Sequence, residues 1–461
     1  MVFFFPASVR QEMHRLLRGA SRTPFNPRST AGPASYHGDM KNSWLAELKR
    51  KNPSEIRLGL DRMVRLLKRL GDPHRDYPAV IVAGTNGKGS VTAMIASMLS
   101  AGGYRTGWYT SPHLVDVRER IRIGEQVIPK KSMQICMDIV RSCQEEELTY
   151  FEFLTAVSLL HFSRASVDMA ILEVGLGGRL DATNVTEPLV SVITNIALEH
   201  REYLGDSLEQ IAAEKGGIIK QGGICITGTK QTPVLAVLEK ICRDRNARLL
   251  RLGRDLKIRV SSDGLFSYRG FSGSRQSGLR CPLRGRHQYA NAALALGVIE
   301  RLGECGYPVE DSLIRSGLER TRWEGRVEIL QRHPTVLLDG AHNPDGISAL
   351  CGVLQRDFSF KRLFVVFGVL SDKDRSAMIG RISSIADIMI LTRPGNERAV
   401  EPAELLPLVK KDRENIIVEP NPIQAVRWAL NAAEENDLIC IAGSLYLVGD
   451  IKKAFRAGRL P

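Results

Sequence analysis

The chain has 461 residues, a formal net charge of +13, 43% hydrophobic residues and 25% charged ones. That length exceeds one ordinary core, so two domains are expected, and the composition is that of a globular protein with no apolar stretch near the roughly 20 residues that span a bilayer. The eight cysteines are scattered and none forms a CxxC pair, which argues against a disulfide framework or a zinc site. Most are expected as small buried side chains in a reducing, cytoplasmic setting. The positive balance suits small polyanions better than nucleic acid. Aromatic residues are 6% of the chain, and the basic residues form no stripe or reader motif along the sequence.

Residues 1–39 differ from the rest. Met1–Phe5 is apolar but lacks a basic lead and is followed by Pro6, a poor signal peptide. Ser21–Tyr36 is rich in Ser, Pro, Gly and Arg without periodicity and reads as disorder. Met40 is the expected translation start. Helical periodicity is expected over 42–71, through Trp44, Leu45, Leu48, Ile56, Leu58, Leu60, Met63, Leu66 and Leu67.

A buried strand at 79–83 then runs into Gly84–Ser90 and a helix to Ala101. A strand at 104–109 is followed by a long loop, 110–128. Helices near 130–146 and 151–165 precede strands at 168–173 and 190–196. A helix at 207–215 and a strand at 223–227 follow. Strands separated by helices at this spacing predict a mostly parallel sheet. Residues 248–281 break the rhythm and predict a small β-rich excursion, and helices at 287–303 and 309–318 close the first domain. Alternation restarts with strands near 336–339, 363–367, 387–391, 415–418 and 437–442. The expected fold is α/β: a P-loop mononucleotide-binding domain at 40–319, a hinge at 320–327 and a smaller Rossmann-like α/β domain at 328–461.

The motifs sit where strands end. Gly84, Thr85, Asn86, Gly87, Lys88, Gly89 and Ser90 join a strand to a helix. Backbone N–H groups and a helix dipole converge there with a lysine, the pattern that holds a nucleotide triphosphate. The match to a Walker A loop is imperfect: Val82 and Gly89 stand where Gly and Ser or Thr are usual. Glu173 ends a buried strand before a glycine run, the place and chemistry for a Mg²⁺ ligand near phosphate. His200 at the next strand end can be a second ligand or a polar loop residue. Lys215 lies on a helix, where a lone lysine is ordinarily solvated, and spacing alone does not select it. Asp339–Pro344 repeats the strand-then-loop arrangement, and Arg322 and Arg326 lie within the hinge, placed to deliver an arginine to phosphates.

Taken together these runs resemble the folylpolyglutamate synthase/dihydrofolate synthase family of the Mur ligase superfamily. The residues that carry the resemblance are GTNGKGSV at 84–91, YTSPHL at 109–114, ERIRI at 119–123, FEFLT at 151–155 and EVGLGGRLDATNV at 173–185. They continue with EHREYLGDSLEQIAAEKGGIIK at 199–220, HQYANAALAL at 287–296, RWEGR at 322–326, DGAHNPDG at 339–346, SDKD at 371–374 and GSLYLVGD at 443–450. The resemblance implies an ATP-driven carboxylate–amine ligase that phosphorylates a carboxylate and joins it to L-glutamate. It implies phosphate contacts from Gly84 to Ser90 with Lys88 on the β- and γ-phosphates, and Mg²⁺ ligands at Ser111, Glu173 and His200. It also implies a carbamylated Lys215 holding a second Mg²⁺. Asn291 is implied at the adenine, Arg326 at the phosphates, Asp339 at the ribose, and His342 and Ser444 near the incoming glutamate. Thr155 and Asp181 match positions near a dihydropteroate site, which favours two activities: dihydropteroate plus glutamate, then chain extension at a γ-carboxylate. A monomer without nucleic-acid or membrane partners is expected. The competing readings are a Mur-type ligase with a UDP-linked substrate and, from another class, a P-loop nucleic-acid-binding ATPase. RLDATN and RWEGR favour the folate branch, and the NKxD motif of a GTPase switch is missing from the sequence.

Overall fold

The computed structural model describes residues 48, 50–52, 55–410 and 412–460. The readings placed on residues 1–39 and on Trp44 lie outside them. Leu48–Pro461 is one compact unit.

The first sheet contains β1 (Ala79–Ala83), β2 (Thr106–Tyr109), β3 (Ile121–Ile123), β4 (Gln126–Val127), β5 (Met169–Glu173), β6 (Val190–Ile193), β7 (Ile224–Thr227) and β8 (Arg248–Arg251). Its order is β4-β3-β2-β5-β1-β6-β7-β8. From β2 to β8 every pairing is parallel. β1 and β5 read AVIVA and MAILE, and every residue in both is buried, because helices cover both faces of the sheet. One face packs on helices Lys88–Ala101, Arg286–Glu304 and Asp311–Glu319. The opposite face packs on Leu208–Gly216 and Thr232–Asp244. The excursion is a three-stranded antiparallel sheet of β9 (Lys257–Val260), β10 (Leu265–Arg269) and β11 (Arg275–Arg280), seated on the same face as Arg286–Glu304.

The second sheet contains β12 (Glu328–Arg332), β13 (Thr335–Leu338), β14 (Leu363–Phe367), β15 (Ile388–Leu391), β16 (Ile416–Val418) and β17 (Leu438–Ala442). Its order is β12-β13-β17-β14-β15-β16, parallel except for the antiparallel edge strand β12. Both sheets bear out the α/β expectation. No helix among the described residues is long and apolar enough to cross a membrane. All eight cysteines are free thiols, five of them buried.

Three readings need correction. The expected helix over 42–71 is interrupted: among the described residues Leu48 and Arg50 are helical, 51–52 and 55–60 are not, and helix resumes at Asp61–Arg69. The expected loop at 110–128 contains the β3–β4 hairpin. Its strands, of three and two residues, are too short to show an apolar run, and backbone pairing with β2 and with each other makes them. β12 went unread because, as an edge strand, it is only half-buried.

The loop after β2 joins the two halves of the molecule. Leu114 packs between Gly325 and Val448, and its carbonyl rests on Gly449 of helix Leu445–Arg456, where a Cβ would collide with that oxygen. Gly449→Ala must therefore push Leu114 away. Overpacking of this kind costs about 1–3 kcal/mol. Chemical denaturation should show that loss together with a lower turnover, since the loop also carries Ser111. An unchanged denaturation midpoint would contradict the packing.

Candidate active site

The C-terminal ends of β1, β5 and β6 point the same way, as parallel pairing requires, and the site lies there. After β1, Gly84 and Gly87 take positive φ values of 138° and 89°, and Gly87 caps the helix Lys88–Ala101. The loop is braced from β6: Asn86 N donates to Asn195 Oδ1 at 2.8 Å, and Thr194 Oγ1 donates to Asn86 O at 2.6 Å. Lys88 Nζ bends over the loop, donating to Gly84 O at 2.9 Å and Thr85 O at 3.0 Å.

Gly89 has a steric reason. A Cβ there would lie 2.5 Å from the Trp323 ring, so the indole of the segment joining the two halves rests on the glycine loop itself. Gly87 likewise leaves room for Asn291, whose Oδ1 would be 2.6 Å from a Cβ.

Gly84–Gly89, Ser111, Glu173, His200, Lys215, Arg326, His342 and Ser444 line one cavity of about 210 Å³. A second of about 490 Å³ shares Gly89, Ser111, Glu173 and Arg326 with it. Glu173 is 4% exposed, and burial pushes its carboxyl up to about 7 despite Lys88, the Ser111 N–H, Arg326 and Arg120. A carboxylate so placed fits a cation beside phosphate. Lys215 is 2% exposed and donates to Gly84 O at 3.0 Å and Glu199 Oε1 at 3.1 Å. Burial lowers its pKa against the pull of Glu199, and Glu199 is itself drawn down to about 2 although burial opposes it. His200 stands in a left-handed backbone conformation (φ 48°, ψ 42°), uncommon for a residue other than glycine. Burial and Lys373 hold its ring neutral, near 4. Among the described residues no three His, Cys, Asp or Glu side chains are grouped to hold a metal. A metal here therefore needs Ser111, a modified Lys215 or its own solvent as further ligands.

His342 Nδ1 lies 2.8 Å from Gly340 O, so Nδ1 carries the proton and Nε2 is left as an acceptor. Burial first, then Lys373, lowers its pKa to about 4. Ser444 Oγ accepts from Tyr446 N at 3.1 Å and caps the helix that follows.

Other expected residues stand apart from this cavity. Asp181 accepts from the backbone of Gly175, Leu176 and Thr183 and from the Thr183 hydroxyl, and so holds the glycine run after β5 in shape. Thr155 donates to Phe151 O at 2.8 Å and meets the Tyr109 hydroxyl at 3.3 Å inside the helix Tyr150–Arg164. Asp339 uses both oxygens on backbone, at Val327 N and Ala341 N, each 2.9 Å away. It thereby secures Val327, whose φ of 48° is strained for a β-branched residue. Asn291 donates to Gln288 Oε1 at 2.9 Å beside Gly87. Ser90 is buried in the first turn of its helix.

Sequence reasoning passed over Glu199, Asn343, Lys373 and Arg398. Asn343 exchanges two hydrogen bonds with Asn86, at 2.9 and 3.3 Å, and so ties the second half to the phosphate loop. Lys373 and Arg398 line the cavity, and the Arg398 Nε–H is buried without a partner. Glu199 was signalled by its place beside His200 at a strand end. Arg398 had no signal, because its loop has no pattern of its own.

With this geometry in place, comparison with known proteins is decisive. Residues 82–299 match the Mur ligase middle domain and residues 325–445 the Mur ligase glutamate ligase domain. The chain is 34% identical over 414 residues to the dihydrofolate synthase/folylpolyglutamate synthase of Bacillus subtilis (strain 168), covering 87% of this chain and 96% of that one. This chain belongs to the folylpolyglutamate synthase/dihydrofolate synthase family of Mur ligases. It is also 34% identical to a probable bifunctional folylpolyglutamate synthase/dihydropteroate synthase of Haloferax volcanii, of which it spans only 49%. Among solved structures, Escherichia coli FolC in complex with DHPP and ADP superposes with a TM-score of 0.83 at 32% identity, covering 91% of this chain and 98% of that one. The Yersinia pestis bifunctional folylpolyglutamate synthase/dihydrofolate synthase with Mn, AMPPNP and L-glutamate bound gives 0.81 at 31% identity, covering 90% and 97%.

The Trp323 contact makes a prediction against the usual P-loop rule. Gly89→Ser supplies the hydroxyl that Walker A loops carry, yet its Cβ collides with the indole. Nucleotide affinity by titration calorimetry should fall at least tenfold, and Trp323→Ala in the same chain should restore part of it. Affinity unchanged by Gly89→Ser would refute this.

Proposed function

We propose that the chain is an ATP-dependent ligase that adds L-glutamate to dihydropteroate and to the γ-carboxylate of tetrahydrofolate, forming a C–N bond through an acyl phosphate. The observation that carries this reading is a single cavity with two unlike walls. One is the phosphate loop with Glu173; the other holds His342, Ser444 and the cations Lys373 and Arg398, both of which pair with Asp372, at 2.9 and 3.7 Å. Relatives named for both activities, and relatives solved with ADP, DHPP and L-glutamate, support it. In working terms, residues 40–319 bind ATP, 320–327 form the hinge and 328–461 receive glutamate. The enzyme works as a cytoplasmic monomer.

The chemistry then divides among named residues. The loop N–H groups and Lys88 align the triphosphate, and Arg326 adds positive charge from the hinge. The acceptor carboxylate oxygen bonds to the γ-phosphorus as the bond to the β-phosphate oxygen breaks, and ADP leaves. The neutral glutamate amine attacks the acyl carbon, the C–O bond to phosphate breaks, and inorganic phosphate departs with the proton that the nitrogen gives up. His342 Nε2 accepts a hydrogen bond from that amine and orients it. Lys373 and Arg398 take the carboxylates of glutamate. Ser111, Glu173, His200 and Lys215 as its carbamate would hold Mg²⁺, which neutralises phosphate charge when bound. Burial disfavours the ammonium of Lys215, and carbamylation requires the neutral amine. Asn291 and Asp339 are assigned to adenine and ribose, and Thr155 and Asp181 shape the pterin side.

The test is ATP turnover with dihydropteroate or tetrahydrofolate plus glutamate, followed by product mass. Each acceptor should gain one glutamyl unit, and no gain with either would end the proposal. Lys215→Ala should lose most turnover and recover part of it with short carboxylic acids. Normal turnover without additive would remove the carbamate.

A further inference from the structure

A cavity of about 560 Å³ lies at the opposite end of β2 from Ser111, outside the site described above. The first residues of β2, the β3–β4 hairpin, the first turn of helix Lys130–Cys143 and the last turn of Tyr150–Arg164 enclose it. Its lining holds no aspartate or glutamate, but it does hold Arg105 and Arg164. Neither guanidinium meets a carboxylate among the described residues. Between them lies His161, only 7% exposed, whose ring makes no hydrogen bond among the described residues. Burial first, then Arg105 and Arg164, lowers its pKa to about 4, so the ring is neutral and brings one N–H donor. Ser100 Oγ, on the same wall, is buried without a partner. The 14-residue helix Lys130–Cys143 begins at Pro129 with no side-chain cap, which leaves first-turn N–H groups beside Ser132.

Two guanidinium groups, an unpartnered buried imidazole, an orphaned hydroxyl and a helix N-terminus all offer donors, with no acceptor charge to answer them. We propose that this cavity binds an oxyanion, and that its ligand is a carboxylate of the acceptor's γ-glutamyl tail. The assignment to the tail rests on the proposed function. It is favoured by continuity: this cavity and the larger active-site cavity share Ser100 and Gly124 in their walls. The helix Lys88–Ala101 that floors the larger cavity spans about 20 Å. An extended tail whose growing end lies at Glu173 runs along the small residues Ala93, Ala96 and Ser97 toward the basic end.

The experiment compares wild type with Arg105→Ala/Arg164→Ala, whose changes are at exposed side chains. Titration calorimetry uses tetra-γ-glutamate and, separately, inorganic phosphate. Kinetics use mono- and tetraglutamyl tetrahydrofolate. The proposal expects tetra-γ-glutamate binding to weaken at least tenfold in the variant. It expects kcat/KM for the tetraglutamyl acceptor to fall at least tenfold through KM, with the monoglutamyl acceptor within twofold. Equal effects on both acceptors, or none on either, overturn the tail assignment. Phosphate binding lost in the variant with tail binding intact overturns it too and makes phosphate the ligand. No binding of either probe overturns the site. If the wild type glutamylates no acceptor, the proposed function fails, while calorimetry still reads the cavity.

Discussion

The phosphate loop keeps its shape because its glycines give up the space beside the backbone to three other segments. Thr194, at the end of β6, lies against Gly84; Asn291, on helix Arg286–Glu304, against Gly87; and Trp323, between the two halves, against Gly89. A Cβ at any of the three would strike one of these side chains. The loop is therefore a junction as well as a cradle. The sheet, the helix beside it and the segment joining the two halves are each registered to the same glycine loop. Gly89 in particular stands where a Walker A loop carries a hydroxyl, and it leaves that space to Trp323.

The same economy of contacts couples the two halves. Asn86 and Asn343 hydrogen-bond across the cleft, Leu114 rests on Gly449, and Arg456 lies 3.9 Å from Glu119. Asp339 spends both oxygens keeping the strained Val327 in place. Such strain persists only where surroundings over-determine it, and here it sits in the segment that joins the two halves. Within the cleft, burial keeps His200 and His342 neutral and raises Glu173. Low-dielectric surroundings strengthen interactions between charges placed there.

The sheet framework was legible in the sequence because buried parallel strands read as unbroken apolar runs such as AVIVA and MAILE. Edge and hairpin strands were not, since β3, β4 and β12 owe their form to pairing and carry no such run. Site residues at strand ends were legible for the same topological reason: Lys88, Glu173 and His200 follow strands that point one way. Lys215 was invisible to spacing and became prominent through the family resemblance, and burial against Glu199 gives it a physical rationale. Arg398 and Lys373 reach the cavity from loops joined by the Leu370–Ala399 bridge, a tertiary fact that no local pattern encodes. Part of what reads as a motif is scaffolding. In FEFLT, Glu152 caps its own helix through Thr149 and pairs with Arg62 at 2.9 Å.

The central claim is that the acceptor carboxylate is activated by phosphorylation before the amine of glutamate attacks. Oxygen transfer tests it most directly. With both carboxylate oxygens of the acceptor replaced by ¹⁸O, each turnover should deliver one ¹⁸O to the released inorganic phosphate. The second label should remain in the new amide carbonyl, with mass spectrometry following both. Glutamyl product formed with unlabelled phosphate would contradict the acyl phosphate and the arrangement of the cleft built around it.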